Sequence, residues 1–226
     1  FAKICKPGSG WMVRSISAFD SPNFTGEEVP DYLRELLIGK TWVEERLKRW
    51  GVQNPMYQSK VLGRFPEVGD HNLIQPAWVL AAQNRVLPPN TLDQVMGVDV
   101  ARFGSDETVA YLRQGSYARR VMQGHGWATT KTAGVVIREV NGHEHPTKIQ
   151  IDDVGIGGGV YDMLVEGGLR PVGMNGGARA QEMLKSGKPK FVNARAEWWW
   201  RLRELLESGD LDLDAADEEL AAQLVD

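Results

Sequence analysis

The spacing of apolar residues changes character once along this chain. The first seventeen residues, FAKICKPGSGWMVRSIS, hold two short apolar runs around a Pro-Gly-Ser-Gly turn and predict two strands. From there to residue 87 the spacing is helical. It predicts helices over about 28–38 and about 41–50, the second stopped by Gly51. NPMYQSKVLGRFPE predicts a further short helix ending near Gly63, and residues 71–87 predict another after Pro76. The following Pro-Pro-Asn at 88–90 cannot continue that helix, which places a domain boundary there.

Beyond the boundary, period-two runs alternate with helical ones. Val95 to Val100 predicts a strand, with hairpin partners over 107–113 and 117–124 across RQGS. Ala133, Val136, Ile137 and Val140 fall at i, i+3, i+4 and i+7, an amphipathic helix. TKIQID (147–152) predicts the next strand, followed by a glycine-rich turn, a helix over about 158–166 and a short strand at 170–174. Asn193 precedes a helix over about 194–208 that Gly209 ends; 211–213 suggests a strand and 217–225 a last helix. Three antiparallel strands followed by alternating helix and strand predict an α/β mixed sheet flanked by helices.

Composition narrows the class. The chain has 226 residues, 42% of them hydrophobic, 25% charged, and a net charge of −4. It holds no apolar run of the ~18–20 residues that a membrane span needs, and no N-terminal signal pattern. One cysteine, Cys5, excludes an internal disulfide and fits a reducing compartment. His143 and His145 lack the further ligands of a zinc site. With an acidic net charge, nucleic-acid binding has to use local patches such as RLKRW, ARR and KSGKPK. Phe1 opens on a strand-like run and Asp226 falls inside a helical pattern, so a piece of a longer protein is expected.

The acids carry the chemistry. Side chains alternate along a strand, so Met96, Val98 and Val100 face one way and Val95, Gly97 and Asp99 the other. Ile149 and Ile151 likewise oppose Lys148, Gln150 and Asp152. If the two strands are neighbours, Asp99 and Asp152 converge. Two close carboxylates repel unless a cation intervenes, and Mg²⁺ takes one or two carboxylates plus water and phosphate oxygens. Taken singly each acid has a plainer reading: a strand-end acid, an Asx turn at Asp152 and Asp153, a helix N-cap at Asp217.

Two other features look functional, and each has a plainer reading. GIGGGVYD (155–162) places Val160 where a dinucleotide fingerprint needs its third small residue, and no phosphate loop occurs anywhere in the chain. Its glycines are expected to let backbone pack behind the acid or let a substrate phosphate approach. In AEWWWRLREL, Trp199, Leu202 and Leu206 share a helical stripe with Trp198 and Leu205 near it, which predicts core packing rather than base stacking.

Taken together, GVDVARFGSDETV, IDDVGIGGGVYDML and NARAEWWWRLRELLESGDLDL with DEELAAQL resemble the nuclease domain of the phage terminase large subunit. KPGSGWMVRSISAFDSPNFTGE and WGVQNPMYQSKVLGRFPE resemble the end of that family's ATPase domain. The resemblance covers nearly the whole chain in order. It implies an RNase H-like fold at 91–226, a linker at 76–90, and an incomplete ATPase portion without Walker A at 1–75. It further implies a viral packaging motor acting in the host cytoplasm, with double-stranded DNA, a small terminase subunit and a portal protein as partners. Cleavage in the family uses an acidic cluster holding two divalent ions, Mg²⁺ or Mn²⁺. The first two acids match Asp99 and Asp152, with Asp99 expected to be shared by both ions. The third best matches Asp217, with Asp214 or Glu218 as alternates because AAD departs from the family's paired acids. Asp106 and Asp153 are expected to support the site, and Arg102, Lys185, Lys188 and Lys190 to hold DNA phosphates. ATPase activity belongs to the intact subunit and is not expected here. Two rivals remain: a non-catalytic DNA- or portal-docking module, and an actin/sugar-kinase-like ATPase, whose phosphate turn wants glycine where Ala101 stands.

Overall fold

A computed structural model describes residues 10–64, 72–101, 106–143 and 147–225. The chain forms two compact units, Phe1–Val79 with Glu218–Asp226, and Leu80–Asp217.

The first unit is helical: α1 (Pro22–Thr25), α2 (Asp31–Leu36), α3 (Lys40–Trp50), α4 (Pro55–Lys60), the first half of α5 (Pro76–Gln83) and, from the far end of the sequence, α9 (Glu218–Leu224). Asn54 caps α4 by accepting from the Met56 amide, and Pro55 supplies the preset first turn. Met56, Tyr57, Val61, Ile74 and Val79 are fully buried, each worth about 1.5–3 kcal/mol in water-excluded apolar area. α9 joins this unit through polar contacts. Glu218 pairs with Arg46 and Lys60, each at 3.0 Å, and the Asn54 amide donates to the Ala222 carbonyl. The compact units thus divide at 79/80 and again at 217/218, whereas the sequence reading keeps everything from 91 onward in one domain. Of the two strands expected within 1–17, residues 10–17 form none, and 1–9 lie outside the described residues. Trp11 and Met12 are 69% and 89% exposed, so the apolar residues of this stretch are not covered by a sheet among the described residues.

The second unit is built on five strands in the order β3-β2-β1-β4-β5. They are β1 (Gln94–Asp99), β2 (Glu107–Gln114), β3 (Tyr117–His125), β4 (Thr147–Asp152) and β5 (Val172–Met174). β1 to β3 form an antiparallel meander, while β4 pairs parallel to β1 and β5 parallel to β4. The parallel pairings need crossovers, supplied by α6 (Thr129–Asn141) and α7 (Ile156–Glu166). One sheet face carries Met96, Val98, Ala110, Leu112, Ile149 and Ile151, packed with Ala133, Val136, Val160 and Leu164 of those helices. Alternation then leaves Gly97, Asp99, Tyr111 and Asp152 on the opposite face. The helix α8 (Ala194–Ser208) follows, capped by Asn193 and ended by Gly209 at φ +82°. Residues 211–213 contribute only an isolated bridge, Tyr117 to Asp212. The mixed sheet flanked by helices expected from the sequence is the architecture found.

Candidate functional site

The site begins with a register. β1 and β4 run parallel with Val98 opposite Ile151, so Asp99 and Asp152 occupy the next rung at the carboxyl ends of neighbouring strands. Asp99 and Asp152 are both exposed residues. Partial desolvation of the Asp99 carboxyl, then the charge of Asp152, then that of Asp106 push its pKa above the ordinary carboxylate value, and the Val100 amide opposes them. Among the described residues, no Lys, Arg or His forms an ion pair with Asp99 or Asp152.

Local bonds hold both strand ends. The buried Thr108 hydroxyl accepts from the Ala101 amide at 3.1 Å and donates to the Ala101 carbonyl at 2.7 Å, pinning the chain that leaves Asp99. Asp152 Oδ1 accepts from the Val154 amide at 3.0 Å, an Asx turn. A Cβ at Gly157 would overlap the Asp152 carbonyl oxygen, so α7 reaches the end of β4 only because that position is glycine. Of the two roles expected for the glycine run, close packing behind the acid is the one Gly157 has. The Asp153 carboxylate lies over Gly173 of β5.

Asp217 stands in a different setting. Its side chain is 4% exposed, and one oxygen, Oδ2, receives both the Tyr111 hydroxyl and the Arg120 guanidinium, the latter at 3.0 Å. Burial first, then the Asp217 hydrogen bond and the charges of Asp217 and Asp214, raise the Tyr111 phenol far above its ordinary value; Arg120 opposes this. Tyr111 sits opposite Gly97, which puts this clasp on the same sheet face as Asp99 and Asp152. Asp214 accepts from the Ala216 amide through its own Oδ1. Glu218 belongs to the first unit. Burial alone would raise it, but hydrogen bonds and charge from Lys60 and Arg46 hold it below the ordinary glutamate value.

The structure therefore brings Asp152 and Asp106 within electrostatic reach of Asp99 and gives Asp217 cationic and phenolic partners. Among the described residues, no group of three or more His, Cys, Asp or Glu is gathered as a metal-binding cluster. Lys185 and Lys188 are exposed, and Lys190 pairs with Glu182 at 2.6 Å. Arg102 lies outside the described residues. The aromatic run departs from expectation: Trp198 and Trp199 are each 37% exposed. The first turns of α8 instead bury Ala194 and Glu197, whose carboxylate accepts the Gln181 and Glu182 amides. A hydrogen-bonded carboxylate at that inward position turns the tryptophans outward. Sequence reasoning treated Arg119 and Arg120 only as a short basic patch and passed over Tyr111. Only the strand register links them to the acids.

No protein-family model and no curated protein matches the chain. Solved structures do. The nuclease domain of the large terminase subunit gp2 of bacterial virus Sf6 superposes with a TM-score of 0.54 at 18% identity, covering 68% of this chain and 81% of that one. A variant of that domain solved with calcium gives a TM-score of 0.52, and one with manganese and beta-thujaplicinol gives 0.50, at the same identity and coverage. The chain has the terminase nuclease fold. The RNase H-like sheet implied by the sequence resemblance is thereby the fold observed, at an identity that speaks to fold alone. Within it, the C-terminal ends of β1 and β4 are where Asp99 and Asp152 stand.

Proposed function

We propose that the protein is a divalent-metal-dependent DNA endonuclease of a viral DNA-packaging motor, cutting concatemeric DNA in the host cytoplasm. The observation that carries this reading is the Asp99–Asp152 rung: two adjacent carboxylates that repel each other, with no described cation paired to either. Such a donor set fits Mg²⁺ or Mn²⁺, which prefer oxygen ligands and relieve the repulsion. Asp99 and Asp152 would hold the metal, with Asp217 as the third acid. Bound divalent ions supply Lewis-acid stabilisation of the charge that builds on a phosphodiester during hydrolysis.

The chain's own residues prepare the rest. Thr108 and Gly157 fix the backbone at the two strand ends that carry these carboxylates. Asp106 adds negative charge beside Asp99 and strengthens its preference for a cation. Lys185 and Lys188, both exposed, would meet the DNA backbone without reading sequence. A small terminase subunit and a portal protein are the further partners proposed, and ATP hydrolysis is assigned to residues that carry a Walker A, which this chain lacks.

The test is plasmid cleavage. Purified protein with Mn²⁺ or Mg²⁺ and no ATP should nick or linearise supercoiled DNA, EDTA should stop it, and Asp99→Asn or Asp152→Asn should abolish it. A wild type inert across metals, or Asn variants that cut equally well, would overturn the reading. The second reading, a DNA- or portal-docking module that does not cut, draws on the absence of a gathered three-acid cluster among the described residues. It expects DNA binding that is indifferent to the Asn substitutions.

A further inference from the structure

We propose that Tyr111 and Arg120 are positioning residues: they hold the Asp217 carboxylate on the sheet face of Asp99 and Asp152 and so set the divalent-ion affinity of that face. This rests on the nuclease reading above. The placement comes from a β-bulge. Ala110 pairs with Met122 but the next residue, Tyr111, pairs with Arg120, so Val121 is skipped. Without that shift Val121 would stand opposite Tyr111, and the guanidinium would sit on the other face. Bulges re-aim side chains in this way beside functional sites.

The bulge also sorts two consecutive arginines. Arg119 pairs at 2.7 Å with Asp212, a buried acid whose other oxygen accepts the Leu87 amide. Arg120 pairs with Asp217. Asp217 is held beyond what one ion pair requires. Its amide donates to the Asp214 carbonyl at 3.2 Å, its carbonyl accepts from the Gln83 amide at 3.1 Å, and Tyr111 and Arg120 both meet Oδ2. A buried ion pair is a weak source of stability, since apolar residues of similar volume often do as well. Gripping one oxygen from two sides instead fixes the plane of the carboxylate, the role that outer partners have around metal-ligating carboxylates.

Equilibrium Mn²⁺ titration, read by the free-ion electron paramagnetic resonance signal, tests this beside melting in EDTA. Tyr111→Phe should melt like wild type in EDTA yet bind Mn²⁺ about 10–100-fold more weakly. Arg120→Lys, which keeps the charge and loses the fork, should fall between wild type and Arg120→Gln. Tyr111→Phe that folds and binds Mn²⁺ as tightly as wild type, or more tightly, would show the clasp to be purely structural. If Tyr111→Phe does not fold, Arg120→Lys carries the same measurement with the same two outcomes. A wild type that binds Mn²⁺ without cutting plasmid removes the nuclease reading and leaves the affinity comparison decisive. A wild type that binds no Mn²⁺ ends both.

Discussion

Acids of the second unit are treated in two opposite ways. Asp212 and Asp217 are buried, and each has an arginine of its own. Asp99 and Asp152 share a strand-end rung, with each other's charge and no described cation. Buried ionised carboxylates without compensation are expensive, so the first pair is what folding demands. The second pair is exposed at the strand ends, where water screens part of the repulsion and a cation could reach both carboxylates. Two like charges side by side, beside neighbouring acids that have arginines, are the observation on which the proposed metal site rests.

The strongest way to break this comparison is to neutralise the unpaired acids. Asp99→Asn and Asp152→Asn should each lower metal-dependent DNA cleavage by at least about 100-fold, more than loss of an outer partner would cost. The same variants should melt higher than wild type in EDTA near neutral pH, because they remove repulsion. The sign follows from the raised Asp99 pKa. A carboxyl whose pKa is higher folded than unfolded contributes full stability below the unfolded value, ordinarily 3.8, and loses it as pH rises through the folded value. The advantage of Asp99→Asn in EDTA should therefore grow as pH rises through the acid range and vanish below about pH 3.8. An Asn variant that melts lower than wild type at pH 7 would mean that Asp99 is structurally satisfied after all.

Breaking the paired acids should give the reverse pattern. Arg120→Ala strands a buried Asp217 charge and should cost about 3 kcal/mol of unfolding free energy, measured by urea denaturation. Arg119→Ala should act similarly through Asp212. If either cost falls below about 1 kcal/mol, water already screens that pair and the contrast with Asp99 weakens.

The unpaired pair was legible in the sequence; the paired one was not. Alternation places Asp99 away from Met96 and Val98, and Asp152 away from Ile149 and Ile151. Adjacency needed only one further fact, that the two strands neighbour each other. The hairpin, α6 and α8 follow from periodicity and from the Asn193 and Gly209 caps for the same local reason. Arg120 and Tyr111 depend on a bulge that skips one residue, and no local pattern marks Val121 as the one skipped. Trp198 and Trp199 were misassigned to the core because helical spacing cannot tell that Glu197, held by loop amides, takes the inward position. Glu218 is also a long-range matter: its partners Arg46 and Lys60 lie far back in the sequence.

Glu218 sharpens the contrast at smaller amplitude. It is a half-buried acid with two cations, held below its ordinary value despite its burial, so its contribution is present above the unfolded pKa and lost as pH falls through the folded one. Lys60→Ala should cost about 1 kcal/mol at pH 7, within the range for partly exposed pairs, and less in high salt. Its pH dependence runs opposite to that of Asp99, so acid titrations of Lys60→Ala and Asp99→Asn should diverge in sign.

The smallest effect concerns Gly97, which lies between the two classes of acid on their common face. Tyr111 and Gln150 flank it on the adjacent strands. Its backbone is ordinary for a strand, and a Cβ there would meet nothing within 4 Å. Glycine inside a strand normally costs about 0.5–1 kcal/mol relative to alanine, so Gly97→Ala should stabilise the metal-free protein by about 0.5 kcal/mol. Neither packing nor backbone geometry calls for glycine at this point. Glycine inside a strand often marks a bulge, a tight bend or the close approach of another group, and at Gly97 neither of the first two is present in its pairings with β2 and β4. If that group is the DNA phosphate, Gly97→Ala should melt higher in EDTA and yet cut DNA more slowly, through a weaker KM for DNA at unchanged Mn²⁺ affinity. Equal cleavage by a stabilised Gly97→Ala would show that nothing approaches the floor between Asp99 and Asp217, and that the two classes of acid work apart.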